Sequence, residues 1–145
     1  MVDVNPEAGS SLKPPTRILF VCVENAGRSQ MAEAFAKRLG FEAMSAGTMP
    51  ASRVSPVVVS AMREAGIDIG DSKPKLMNNQ MVEWADFVVT MGCSVEEVCP
   101  APLLEKISRK VIRWDIEDPK GKPIEDVRRI RNVILEKIRE LAASR

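Results

Sequence analysis

The stretch from Ile18 to Ala34 reads I-L-F-V-C-V-E-N-A-G-R-S-Q-M-A-E-A. An apolar run, Ile18 to Val21, ends on Cys22, and five residues (Val23, Glu24, Asn25, Ala26, Gly27) separate that cysteine from Arg28. Ser29 to Leu39 then reads as a helix stopped by Gly40. A continuous apolar run before a short loop and a helix is the mark of a strand buried on both faces. We therefore expect a strand over Arg17 to Val23, a tight loop, and a helix whose first turn faces back over the strand end.

The rest of the chain repeats this alternation. Glu42 to Ala46, Asp86 to Met91 and Lys110 to Trp114 read as strands. Between them, Ser55-Pro56 begins a helix that Gly66 ends, with Ser55 as N-cap and Pro56 at the first helical position. Asn78 to Trp84 reads as a short helix and Val95 to Val98 as a helical turn. The last helix spans Ile124 to Ala143, with Ile124, Val127, Ile130, Ile134, Ile138 and Leu141 on one stripe. Alternating strands and helices imply an α/β fold with a parallel sheet covered on both faces; our reading is a four-stranded, flavodoxin-like sheet in order 2-1-3-4. Ligands in such sheets sit beyond the carboxyl ends of the strands. Cys22 lies at the end of the first strand, and Cys93 and Asp118 lie just past the ends of the third and fourth, so a parallel sheet gathers them at one edge.

Composition narrows the functions. The chain has 145 residues, 45% of them hydrophobic, enough for one domain with a core. Residues 17–145 are expected to form that domain, behind a flexible extension over 1–16 rich in Pro, Gly and Ser. The net charge of +1, without a basic block, gives no reason to expect nucleic acid. No apolar run approaches a membrane span and no secretory signal opens the chain, so a soluble cytoplasmic protein is expected. The three cysteines, Cys22, Cys93 and Cys99, are an odd count, which argues against a structural disulfide framework. The absence of histidine removes Ser-His-Asp triads and Cys-His dyads. A zinc site is not expected from three cysteines alone.

The loop itself carries chemistry. Unpaired N–H groups at a helix start, with the helix dipole, attract an anion. Gly27 permits a tight turn, and the N–H groups of Val23, Glu24, Asn25, Ala26, Gly27, Arg28 and Ser29 can point inward as a nest. The Arg28 fork grips two oxygens of a tetrahedral oxyanion. Cys22 would then sit in a positive field that favours the thiolate, with Ser29 donating to it and Asn25 pinning the loop. Alone, Cys22 would read as a small hydrophobe in a strand and Arg28 as a surface charge. Glu24 is expected to turn to solvent, away from a bound anion.

This segment resembles the Cys-x5-Arg-Ser loop of the low-molecular-weight protein tyrosine phosphatase superfamily. R-S-Q-M-A-E-A continues like its thioredoxin-coupled arsenate reductase branch, as do S-A-G at 45–47, D-F-V-V-T-M at 86–91 and W-D-I-E-D-P at 114–119. The resemblance implies Cys22 as nucleophile, Arg28 as oxyanion clamp, and Asp118, followed by Pro119, as general acid. Asp115 lacks the following proline, and Asp-Pro on its own is a common turn start. It further implies that Cys93 attacks Cys22 and that Cys99 resolves the disulfide, handing it to a thioredoxin-like partner with no tightly bound cofactor. The alternatives are hydrolysis of phosphate monoesters through phosphocysteine, with Cys93 and Cys99 incidental, or a non-catalytic oxyanion-binding module. Three features depart from the family pattern. Cys93 and Cys99 stand six apart, Gly27 replaces a cysteine, and Lys120-Gly121 stands where the tyrosine phosphatases carry aromatic residues. Asn25, Glu33 and Ser45 match positions that bind potassium in some members; the other reading of Glu33 is a solvated helix residue.

Overall fold

The computed structural model describes residues 16–92 and 101–143. The sequence readings of a flexible lead-in and of a turn at Val95–Val98 fall outside them, as do Cys93 and Cys99. The elements are β1 (Arg17–Cys22), α1 (Arg28–Arg38), β2 (Glu42–Gly47), α2 (Pro56–Glu64), α3 (Asn79–Trp84), β3 (Phe87–Thr90), α4 (Ala101–Ser108), β4 (Val111–Arg113) and α5 (Ile124–Ala143). They form a four-stranded parallel sheet in the order β2-β1-β3-β4, the expected order.

β1 lies inside the sheet, which explains its unbroken apolar sequence. Ile18, Phe20 and Cys22 face one layer, with Met31 and Phe35 of α1, Met62 of α2, and Ile130, Ile134 and Ile138 of α5. Leu19 and Val21 face the other layer, with Met77, Val82, Val88 and Ile107. This two-residue alternation seats Cys22 beneath α1 and α2. The stripe on α5 is buried at Val127, Ile130, Ile134 and Ile138. In the register Cys22 pairs with Gly47 and Val21 with Thr90. The chain leaves β1 toward β2 on one side and finds β3 on the other, so the strand order reverses beside Cys22.

The helix α4 (Ala101–Ser108) is not among the expected elements; the other element ends differ from expectation by a residue or two for local reasons. β2 runs on to Gly47, which also bridges to Leu76. β3 starts after Asp86, whose carboxylate accepts from the Arg17 N–H at 2.9 Å. Asn78 stands before α3 and caps it, accepting from the Met81 N–H at 2.8 Å. Ser55 holds the N-cap position of α2, yet its side chain makes no cap bond. Its N–H is used elsewhere, at the site.

Candidate active site

The loop from Cys22 to Gly27 is held from outside by its carbonyl groups. Backbone N–H groups of Thr48, Met49, Ala51 and Ser55 donate to the carbonyls of Cys22, Val23, Glu24 and Ala26, at 3.3, 2.8, 2.9 and 2.9 Å. The Gln30 amide donates to the Asn25 carbonyl at 3.1 Å, and the Met31 N–H to that of Gly27 at 3.0 Å. All six carbonyls are thereby satisfied away from the loop's centre. Peptide planarity then turns the intervening N–H groups toward it. The Asn25 N–H already donates to Cys22 Sγ, at 3.2 Å. α1 begins at this loop with Gly27 as N-cap, so no side chain covers its first N–H groups.

Asn25 is the pin. Its backbone has φ 53°, a left-handed value that asparagine tolerates better than most residues. The Lys75 backbone N–H donates to Asn25 Oδ1 at 2.9 Å, which fixes the orientation of the amide. Gln30 Nε2 donates to the same oxygen at 3.1 Å. Asn25 Nδ2 therefore faces Ser29, donating to its Oγ at 2.7 Å. With that oxygen accepting, the Ser29 hydroxyl hydrogen is aimed at Cys22 Sγ, 2.9 Å away. Cys22, Asn25, Ser29 and Gln30 are all buried.

Arg28 is fixed by one edge. Its Nη1 donates to the carbonyls of Met91 at 2.7 Å and Ile116 at 2.9 Å, just past β3 and β4. Its Nη2 lies 3.7 Å from Asp118 Oδ2. The Lys120 N–H donates to Asp118 Oδ1 at 3.0 Å, which orients the exposed carboxylate. Cys22, Val23, Glu24, Ala26, Gly27, Arg28, Asp118 and Lys120 line one cavity of ≈310 Å³. That is at the low end of the ~300–1,000 Å³ of ligand pockets. Glu24 does not simply face solvent: its carboxylate lies 2.7 Å from Lys120 Nζ.

Three glycines make the site possible, and only Gly27 was singled out from sequence. A Cβ at Gly47 would come within 2.5 Å of the Val23 carbonyl oxygen, and one at Gly92 within 2.9 Å of Arg28 Nη1. At Gly27 it would meet Pro119 Cγ at 3.0 Å, so the missing side chain is what lets the Asp118-Pro119 turn settle on the loop. Gln30 was also missed. An amide on the first turn of a helix that must pack inward was the signal.

A Low molecular weight phosphotyrosine protein phosphatase family model matches residues 17–144. The chain belongs to that family. Among its relatives, an arsenate reductase of Brevibacillus brevis is 37% identical, covering 86% of this chain and 92% of the relative. A glutaredoxin arsenate reductase of Synechocystis sp. is 35% identical over 88% and 96%. The solved structure of an arsenate reductase in the phosphate binding state superposes with TM-score 0.77 and 33% identity, covering 88% and 97%. Here Ser45 donates to Glu33 at 2.5 Å, and Lys37 Nζ lies 2.7 Å from the same carboxylate. Asn25 is engaged by Ser29, Gln30 and Lys75 instead. The Lys37 ammonium thus stands beside Glu33, and the Asn25 side-chain oxygen accepts from two donors.

Proposed function

We propose that the protein reduces arsenate with Cys22 as nucleophile. The N–H groups of residues 23–29 and the Arg28 guanidinium hold the oxyanion, and Asp118 protonates the departing oxygen. The Cys22 thiolate attacks arsenic(V), an As–S bond forms and water leaves. Cys93 then attacks Cys22 Sγ. An S–S bond forms, the As–S electron pair passes to arsenic, and arsenic(III) departs as arsenite. Cys99 attacks Cys93, frees Cys22 and leaves a Cys93–Cys99 disulfide for an external dithiol protein of the thioredoxin or glutaredoxin class.

The observation that carries the reading is the 2.9 Å Ser29–Cys22 contact inside a loop whose carbonyls all point away. Such a loop offers hydrogen-bond donors to the attacking sulfur and to an oxyanion together. Reductase is preferred to phosphatase because two further thiols follow Gly92, and Met91-Gly92 leaves the sheet against Arg28. The relatives' descriptions point the same way. The lack of aromatic residues after Pro119 disfavours phosphotyrosine.

A thiol count separates the readings. Reduced protein is mixed with arsenate, or with phosphate as control, and its thiols are titrated after denaturation. Loss of two of the three thiols with arsenate alone is expected. Retention of all three, with hydrolysis of an aryl phosphate, would make the protein a phosphatase.

A further inference from the structure

Two loops form the walls of the cavity, one following β1 and one following β4. Besides Arg28 and Asp118, 3.7 Å apart, a second and more exposed pair of charges joins them across the cavity: Glu24 Oε2 lies 2.7 Å from Lys120 Nζ, between residues 96 positions apart. Both residues line the cavity. The pair resolves an oddity of the sequence. A carboxylate on an anion-binding loop is unfavourable unless something neutralises it, and the Lys120 ammonium does so. The lysine's charged form is favoured in turn, first by its hydrogen bond to Glu24 and then by the carboxylate charge. Lys120 is also tied to the candidate acid, since its N–H donates to Asp118 Oδ1. Beyond it Gly121, at φ 75°, turns the chain back.

We infer that Glu24 and Lys120 form a clasp that selects small inorganic oxyanions over phosphate or arsenate esters. An inorganic oxyanion ends at its own oxygens and lies beneath the pair. An ester carries an organic group that must leave through the mouth, between the two loops. That group needs the clasp open, so every ester turnover meets the cost of parting the charges. This inference rests on the oxyanion site described above and does not require the thiol relay.

The test compares kcat/KM for para-nitrophenyl phosphate hydrolysis with the second-order rate of thiol loss on arsenate. It uses the full chain, as wild type, Glu24→Gln, Lys120→Met and the charge-swapped Glu24→Lys/Lys120→Glu. Exposed pairs are weak, so each single variant should raise the ester-to-arsenate ratio by about two- to fivefold. The charge swap should return the ratio toward the wild-type value. A ratio unchanged in both single variants overturns the clasp. So does a swap that behaves like the single variants, since the effect would then follow local charge and not the pair. If wild type loses no thiols to arsenate, the reductase reading fails and the clasp is still tested. Protection of Cys22 from alkylation by inorganic phosphate then replaces the arsenate arm, set against protection by phenyl phosphate, with the same ratios expected.

Discussion

Ser29 Oγ lies 2.9 Å from Cys22 Sγ and 2.7 Å from Asn25 Nδ2, and the amide donor leaves the serine hydrogen to the sulfur. A hydrogen bond to a charged group is worth about 1.5–3 kcal/mol, against about 1 for a neutral one. Ser29→Ala should therefore slow thiol loss on arsenate by about tenfold or more, because the Cys22 sulfur loses its hydroxyl donor. Asn25→Ala should slow it too, and should also lower the denaturation midpoint, because the loop loses its pin. A rate of thiol loss in Ser29→Ala equal to wild type would mean the serine contact does not support the Cys22 sulfur.

Arg28 and Gly92 make a second pair of expectations. Arg28→Lys keeps the charge but loses the fork and the two carbonyl contacts. Turnover should fall by about 10²–10³ with little change in stability, the scale of losing a preorganised oxyanion donor. Gly92→Ala should displace the guanidinium, because its Cβ would lie 2.9 Å from Nη1. Its activity should fall in the same direction by a smaller factor, with the helical circular dichroism intact. Gly47→Ala differs, since its Cβ would meet backbone at 2.5 Å. Crowding of that kind costs about 1–3 kcal/mol, so a lowered urea midpoint should accompany lost activity.

These positions also show what the sequence could disclose. The apolar run before Cys22, the 3.6-residue stripe on α5 and the Gly and Pro stops are local signals, and they carry the parallel sheet and the element bounds to within a residue or two, except for α4 (Ala101–Ser108), which the sequence reading does not contain. Cys22, Arg28 and Asp118 were legible because strand ends in a parallel sheet share an edge. The loop's outer support was not. The bonds from residues 48–55 to the loop are backbone to backbone and leave no trace in side-chain identity. The pairing of Glu24 with Lys120 joins distant loops, and one chain cannot disclose which lysine meets which glutamate. Gly47 and Gly92 matter through the space a Cβ would fill, which only the folded chain defines.

Glu117 leads into the Asp118 turn and carries a pH dependence. Hydrogen bonds from Arg129, then from Lys122, hold its carboxyl at about 2, below the usual 4.5. A carboxylate whose value is depressed on folding contributes stability that is present above 4.5 and lost as pH falls toward 2. Glu117→Gln should lower the urea midpoint at pH 7. The gap to wild type should narrow below pH ~4.5 and close near pH 2, since wild type is then protonated as well. The pair is exposed, so 1 M sodium chloride should shrink the gap at pH 7. A gap that stays constant from pH 7 to pH 2.5 would show that the carboxylate charge is not what stabilises the turn.

Substituting the two remaining cysteines orders the proposed relay. Each step consumes a particular thiol, so arsenite released per protein, without external reductant, identifies the step that stops. Cys93→Ser should bind arsenate, protecting Cys22 from alkylation, but release no arsenite, because nothing attacks the Cys22 sulfur. Cys99→Ser should release one arsenite and lose both of its thiols, halting as the Cys22–Cys93 disulfide, which peptide mapping would identify. Wild type should also release one arsenite, but should hold its disulfide between Cys93 and Cys99 with Cys22 free again. Continued turnover should then require an external dithiol protein. If the two variants exchange behaviours, Cys99 attacks first and the order reverses. If Cys93→Ser and Cys99→Ser both release one arsenite, either thiol can attack Cys22 and no fixed order exists.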